Sequence, residues 1–238
     1  MTKDLLESLK AMSAEVQLRL TPPSPDTWWL KYKVDVPTGR SGRWEIDHYE
    51  PHMLELVRDI RTLRTAIRPG VYTVLYYHGK KTKTIMSDTP AEIDEHLRPI
   101  TSFSGRVLIT GLGIGMVLQG LLMRKQVQHV TVLEKSRDVI KLVKPHYEKK
   151  FGVKRFTVIC ADAFKWKVPK GQTFDYVWHD IWPMISSSNL EPMRRLEKKY
   201  EPHATYQGFW CKELCRKMQF AEREVKKHPN KFAHILGG

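Results

Sequence analysis

The strongest pattern of apolar and polar positions lies in the middle of the chain, between residues 106 and 136. An apolar run at residues 107–109 leads into the glycine-rich stretch GLGIG at residues 111–115, and a helical pattern follows. A second apolar run at residues 130–133 ends at Glu134. Short apolar runs bounded by turn signals are typical of buried strands, so this stretch predicts a strand, a tight turn, a helix and a second strand.

Two further apolar runs follow, and each ends at an aspartate. They are residues 156–161 before Asp162 and residues 174–179 before Asp180. Strands that alternate with helical segments predict an α/β fold with a Rossmann-like parallel sheet. Beyond Asp180 only basic helical patterns are evident, at residues 190–200 and 207–225, and a short apolar segment at residues 232–236 is too brief to count as a strand.

The region upstream of this sheet carries four patterned segments. Helical spacing is found at residues 3–20 and 51–67, strand-like alternation at residues 30–36, and a hairpin pattern at residues 72–86 with its turn near Gly79. A loop is expected at residues 39–43. Thr89 and Glu92 form a capping-box pattern around a proline, which predicts that a helix starts at Pro90.

These patterns predict two regions and an incomplete sheet. Residues 1–100 form an N-terminal helix and β-hairpin module, and residues 101–238 form the Rossmann-like domain with a basic helical C-terminus. We expect the parallel sheet to be truncated after its fourth strand, which would expose a strand edge. The N-terminal hairpin, a C-terminal helix or a second subunit of a homo-oligomer would then cover that edge.

The glycine turn and the acid after the second strand predict a nucleoside site. Gly111, Gly113 and Gly115 let the backbone turn sharply beside a ligand, and Glu134 is placed to accept hydrogen bonds from a ribose diol. A dinucleotide fingerprint requires glycine at the sixth position of the turn, where this chain has Met116. The alternative is that the acids only cap helices.

The G-x-G-x-G spacing, with the acids that follow it in order, resembles class I S-adenosylmethionine (SAM) methyltransferases. An N-terminal hairpin and a linking helix with Glu92 and His96 make the chain similar to the spermidine synthase family over residues 70–183. The resemblance implies that Glu134 binds the ribose, that Asp162 with Ala163 binds the adenine, and that Asp180 lies beside the reacting centre. Residues 179–183 and 189–193 also look like phage-encoded proteins usually labelled methyltransferases.

The chain departs from the spermidine synthase pattern at the polyamine end of the site. A second aspartate is missing after Asp180, Pro90 stands where a tyrosine is expected, and Lys81 lies near the position of a glutamine. Asp180 is our candidate for the residue that accepts a proton, and His179 is the second candidate. Trp182 is a candidate aromatic wall for a flat acceptor, although a packing role is equally compatible with the sequence.

Three functions therefore stay open. The first is a SAM-dependent methyltransferase that acts on a nucleic acid or another anionic acceptor. The second is an aminopropyltransferase that uses decarboxylated SAM, which acids from the helix at residues 92–95 would favour. The third is a SAM-binding protein without a transfer acceptor, or a SAM lyase that releases methylthioadenosine.

The net charge of +14 favours a polyanionic partner such as nucleic acid, or else reflects a basic surface without a ligand. Three cysteines form no disulfide framework, and Cys211 and Cys215 lack the partners of a metal site, so we expect no metal. The uncharged residues 107–123 include a glycine turn, which argues against a membrane span. We expect a cytoplasmic protein.

Overall fold

The computed structural model describes residues 28–51 and 70–227, which form two β-sheets with helices around them. A four-stranded antiparallel sheet comprises β1 (Gly39–Ser41), β2 (Trp44–Tyr49), β3 (Tyr72–His78) and β4 (Thr82–Ser87). Apart from Pro51, the helices predicted at residues 3–20 and 51–67 lie outside the described residues, as does the segment at residues 232–236.

The second sheet has five parallel strands in the order β7-β6-β5-β8-β9. These strands are β5 (Gly105–Thr110), β6 (Val127–Glu134), β7 (Phe156–Cys160), β8 (Phe174–His179) and β9 (Ala204–Phe209). The helices between and after them are α3 (Met116–Leu122), α4 (Arg137–Phe151), α5 (Leu190–Tyr200) and α6 (Lys212–Lys227). The predicted α/β class with a Rossmann-like parallel sheet is therefore confirmed.

The prediction that this sheet is truncated after its fourth strand was wrong, because β9 pairs with β8 along its length. The segment ATYQGF has no apolar run, and its burial comes from packing against aromatic rings. A Cβ atom on Gly208 would lie 2.8 Å from the ring of Trp178, so only glycine fits against that ring. The edge beside β8 is thus closed by the chain itself, and α6 starts at Lys212, after this strand.

The alternation at residues 30–36 does not form the predicted strand. Trp28–Tyr32 is a 3-10 helix, and residues 33–38 have no regular secondary structure. The carboxylate of Asp88 accepts the Val34 N–H at 2.9 Å, and the Thr73 hydroxyl donates to the Val34 carbonyl at 2.9 Å. Side chains thus supply the hydrogen bonds that a neighbouring strand would have given.

The hairpin predicted around Gly79 is confirmed as β3 and β4, which pair antiparallel. The strands β1 and β2 were not predicted, because residues 39–43 read as a loop rich in glycine and arginine. Their hairpin turns at Gly42, whose φ of +56° favours glycine.

The two sheets are joined by α1 (Pro90–Glu95) and α2 (Leu97–Ser102). The helix starts at Pro90 as predicted, but the capping box does not form. Thr89 makes no side-chain cap bond, and Glu92 instead accepts the Ser87 N–H at 2.6 Å.

One continuous cluster of buried residues connects the two sheets. It runs from Ile46 and Leu75 of the antiparallel sheet to Ile109 and Val132 of the parallel sheet. The predicted boundary after residue 100 falls within α2, which packs against α3. Residues 107–123 form a strand, the glycine turn and a short helix, and no helix among the described residues combines the length and apolarity needed to cross a bilayer.

Candidate functional site

A cleft of about 660 Å³ lies where the carboxyl ends of the parallel strands face the antiparallel sheet. Six of the eight predicted site residues line it: Gly111, Gly113, Glu134, Asp162, Ala163 and Asp180. Backbone hydrogen bonds extend the sheet past its strand ends and bring these positions together, as in the 2.9 Å bond from the Asp180 N–H to the Thr110 carbonyl.

The three glycines of the turn have positive φ angles of +96° at Gly111, +52° at Gly113 and +77° at Gly115. A Cβ on Gly111 would lie 1.8 Å from the carbonyl oxygen of Asp180, and one on Gly113 would lie 2.3 Å from the sulfur of Met86. The turn is therefore pressed between the end of β8 and strand β4. Gly115 is the N-cap of α3 and does not line the cleft.

Glu134 binds the glycine turn to the start of the next helix. Its Oε2 accepts the Leu112 N–H at 3.0 Å, and its Oε1 accepts the Ser136 N–H at 2.7 Å. Ser136 is in turn the N-cap of α4. A carboxylate has about four acceptor positions, so these two bonds leave capacity for a ligand in the cleft.

Asp162 forms a tight turn at the end of β7. Its Oδ1 accepts the Phe164 N–H at 2.8 Å, and Ala163 behind it is buried. The amine of Lys199 donates to the Phe164 carbonyl at 3.0 Å and holds this turn against α5. Burial lowers the pKa of Lys199, and the nearby charge of Asp162 only partly opposes that effect.

The residue that contacts Asp180 is His96, at the junction of α1 and α2. Its Nε2 lies 2.8 Å from Asp180 Oδ2, and its Nδ1 lies 2.7 Å from the Glu92 carbonyl oxygen. A carbonyl only accepts, so Nδ1 carries a hydrogen, and a second proton must then lie between Nε2 and the carboxylate. Burial acts to lower the pKa of His96, but the charge and hydrogen bond of Asp180 outweigh it, and the net pKa is raised.

His179, the second candidate for proton transfer, does not line the cleft. It is fully buried on the other side of the sheet, where its ring contacts Thr110 Oγ1 at 3.0 Å and Gln207 Oε1 at 3.1 Å. Burial lowers its pKa to about 4, so the ring is neutral near pH 7. Adjacent residues of a strand point to opposite faces, which separates His179 from Asp180.

Aromatic side chains also line the cleft, and of these only Trp182 was singled out from the sequence. The others include Trp44, Tyr77 and Trp210. Alternation along the predicted hairpin strand could have placed Tyr77 on the same face as Leu75, but Trp210 follows the strand that was not predicted. The indole N–H of Trp210 donates to Glu95 at 2.9 Å.

Carboxylates gather around Asp180 and Trp210. Glu92 lines the cleft with Asp180, and Glu95 lies behind Trp210. The thiol of Cys211 lies close enough to both Glu95 and Asp180 that these acids add to the effect of burial in raising its pKa. This thiol is therefore protonated near pH 7 and is a poor nucleophile.

No family model matches the chain, and no curated protein matches it. Among solved structures, a spermidine synthase from Thermotoga maritima is 18% identical with a TM-score of 0.42, over 71% of this chain and 52% of that one. A dimethyladenosine transferase from Plasmodium falciparum is 23% identical with a TM-score of 0.37, over 48% and 37% of the two chains. TrmK of M. capricolum, in complex with S-adenosyl-homocysteine, is 10% identical with a TM-score of 0.39, over 47% and 48%.

The matched part of the chain thus spans about half or less of the length of each of these proteins. The low identities and TM-scores carry no argument about reaction or substrate. The functional conclusion rests on the geometry of the cleft.

Proposed function

We propose that this protein binds a SAM-type adenosyl sulfonium compound in the cleft and transfers a group from it. The observation that carries the proposal is the convergence of the glycine turn, Glu134 and Asp162 on one cleft that ends at Asp180. The residues fit such a ligand, because two carboxylates are available for its hydroxyl and amino groups and the walls between them are apolar. These walls include Leu133, Val139 and Ile181.

When bound, the sulfonium supplies an alkyl group that is already activated toward attack. The protein then has to position the acceptor and remove a proton from it. His96 holds Oδ2 of Asp180, so the remaining oxygen, Oδ1, is the atom that receives the acceptor's proton. The Asp180 side chain is only 17% exposed, which keeps most water away from the reacting end of the cleft.

Methyl transfer is the preferred reaction, with a nucleic acid or another anionic molecule as the acceptor. The cationic surface of the chain supports this choice, because the net charge of +14 attracts polyanions and repels polyamines.

Aminopropyl transfer from decarboxylated SAM is a second candidate because of one specific observation. Glu92 lines the cleft beside Asp180, with Glu95 close behind. Carboxylates around a recess stabilise an ammonium group, so a cationic amine would be accepted here despite the overall charge. Lys83, on the opposite wall of the cleft, would repel a cationic amine and therefore argues against aminopropyl transfer.

Product analysis distinguishes these reactions. The purified protein is incubated with SAM, or with decarboxylated SAM, labelled in the adenosine and in the transferable group, and with candidate acceptors. Methyl transfer yields S-adenosylhomocysteine, and aminopropyl transfer yields methylthioadenosine and a labelled amine. Methylthioadenosine without a labelled acceptor would indicate the lyase, and no turnover with any acceptor would contradict the proposal of a transferase.

A further inference from the structure

A cluster of five cations lies at the turn end of the antiparallel sheet, next to the mouth of the cleft. We call it the hairpin-tip surface, and it consists of Arg40, Arg43, Lys80, Lys81 and Lys83, all exposed. The two hairpin turns lie side by side, because the His78 N–H donates to the Arg43 carbonyl at 2.7 Å. Cations that are separated in the sequence are thereby brought onto one surface.

Within the part of the chain that the structure describes, none of these five cations forms an ion pair with a carboxylate. The nearby acids are committed elsewhere, since Glu45 contacts His78 at 2.5 Å and Asp138 accepts from the Ser41 hydroxyl at 2.7 Å. On α5 and α6, by contrast, several cations are paired, as in the 2.8 Å bridge from Lys212 to Glu197. Unpaired cations on neighbouring turns leave a local positive field.

Aromatic side chains connect this surface to the interior of the cleft. Trp44, Tyr77 and Lys83 are cross-strand partners in one row of the sheet, and all three line the cleft. The rings of Trp44 and Tyr77 are 5.0 Å apart, and the Arg43 guanidinium contacts the Tyr77 hydroxyl at 3.4 Å. Both side chains are half-buried.

The same wall becomes apolar deeper in the cleft. Leu75 and Met86 follow Tyr77 along the hairpin, and Met86 packs against the glycine turn next to Asp180. A molecule that enters from the hairpin-tip surface therefore meets cations first, then aromatic rings, then apolar side chains, and finally the proton-accepting carboxylate.

We propose that the hairpin-tip surface binds the phosphates of a single-stranded nucleic acid and that one of its bases enters the cleft past Trp44 and Tyr77. Unpaired bases stack on aromatic side chains while cations follow the backbone, which is the combination found here. A paired base could not reach a recessed group such as Asp180 without leaving its helix. The inference names the acceptor for the proposed function and rests on it for the chemistry.

The group transfer needs no reactant other than the sulfonium compound and the base. An amino nitrogen of the base forms a bond to the methyl carbon of the sulfonium, and the sulfur–carbon bond breaks with its electron pair staying on sulfur. The proton that the nitrogen loses passes to Oδ1 of Asp180.

The test is fluorescence anisotropy with a labelled single-stranded oligonucleotide, alone and annealed to its complement, at several salt concentrations. Lys80→Ala combined with Lys81→Ala should weaken single-strand binding and reduce the slope of log K against log salt by about 0.7 per lost phosphate contact. Trp44→Leu should weaken binding about tenfold or more with the slope unchanged, because stacking is not ionic. The matched control is Lys217→Ala with Lys226→Ala, which removes the same charge from α6.

Three results would overturn the inference: equal binding of the duplex, equal losses in the hairpin and α6 variants, or no loss in the hairpin variants. Equal losses in the hairpin and α6 double variants would indicate general attraction of polyanions. Circular dichroism of each variant, in the absence of any ligand, shows whether it is folded. Because the anisotropy measurement needs no SAM, failure here is distinguishable from failure of the proposed transferase activity.

Discussion

At the Asp180 end of the cleft, His96 and Asp180 hold one proton between them. The histidine is fixed from both sides, by the Glu92 carbonyl and by the carboxylate, and it is almost fully buried. The two residues are 84 positions apart in the sequence, so no local pattern could have predicted the contact. Asp180 was a candidate from its position after a strand, whereas the group that orients it becomes visible only in the folded chain.

Asp180→Asn should lower the pKa of His96 relative to the unaltered protein, because burial still disfavours the imidazolium while its counter-charge is lost. In the unaltered protein the raised pKa stabilises the fold below the unfolded value of about 6.5, and this contribution is lost as pH rises through the folded value. NMR titration of the ring measures the change. Asp47→Asn, at an exposed position of β2, is the control. An unchanged His96 titration in Asp180→Asn would contradict the ion pair.

At the scale of elements, the glycine turn and β9 both position the site. In each segment the backbone at a glycine lies so close to a neighbouring residue that a Cβ atom would not fit. The strands predicted correctly contain short runs of apolar and β-branched residues, as in β5 and β6. β9 contains no such run, and glycine is required at Gly208 because a side chain there would collide with the ring of Trp178. The alternation of apolar and polar residues at 30–36 predicted a strand, but the carboxylate that accepts the Val34 N–H belongs to Asp88, 54 residues away.

Gly111→Ala should destabilise the protein by about 3 kcal/mol or more, because it combines backbone strain with collision against the Asp180 carbonyl. Gly171→Ala is the matched control, since its φ is +79° but nothing lies within 4 Å of its added Cβ. In the control, the free energy of unfolding should fall by only about 1–2 kcal/mol, because alanine is strained in the left-handed conformation. Urea unfolding measures both, and equal losses would show that close packing of the turn is unimportant.

His179 contacts Gln207 between β8 and β9, and the burial of its ring predicts a pH dependence of stability. Burial lowers the pKa of His179 from 6.5 to about 4, so between these values the unfolded chain binds a proton that the native protein does not. The free energy of unfolding should therefore fall by up to about 3 kcal/mol as pH decreases through this window.

His179→Leu should flatten that pH dependence even though it lowers stability overall, because the titrating group is gone. His129→Leu, on the less buried part of β6, should keep the slope of the unaltered protein. Urea unfolding at several pH values provides the measurement, and an identical slope in all three proteins would exclude His179 as the source.

For the whole molecule, the functional unit is the cleft between two sheets that share one core. The first four strands of the parallel sheet and the acids that follow them could be predicted, because each is encoded in a short segment, whereas β9 could not. The wall of the cleft that faces these acids could not be predicted, since it depends on how the antiparallel sheet packs through Met86 against the glycine turn. The part of the cleft where we propose that the acceptor binds is built from that packing.

Calorimetric titration with S-adenosylhomocysteine tests the central claim most directly, because it measures the cleft without any acceptor. We expect one molecule bound per chain, with about tenfold or greater weakening in folded Glu134→Gln and Asp162→Asn, since each removes a charged hydrogen-bond acceptor. Asp47→Asn should bind as the unaltered protein does. No measurable heat of binding, or equal affinity in all four proteins, would contradict the adenosyl site.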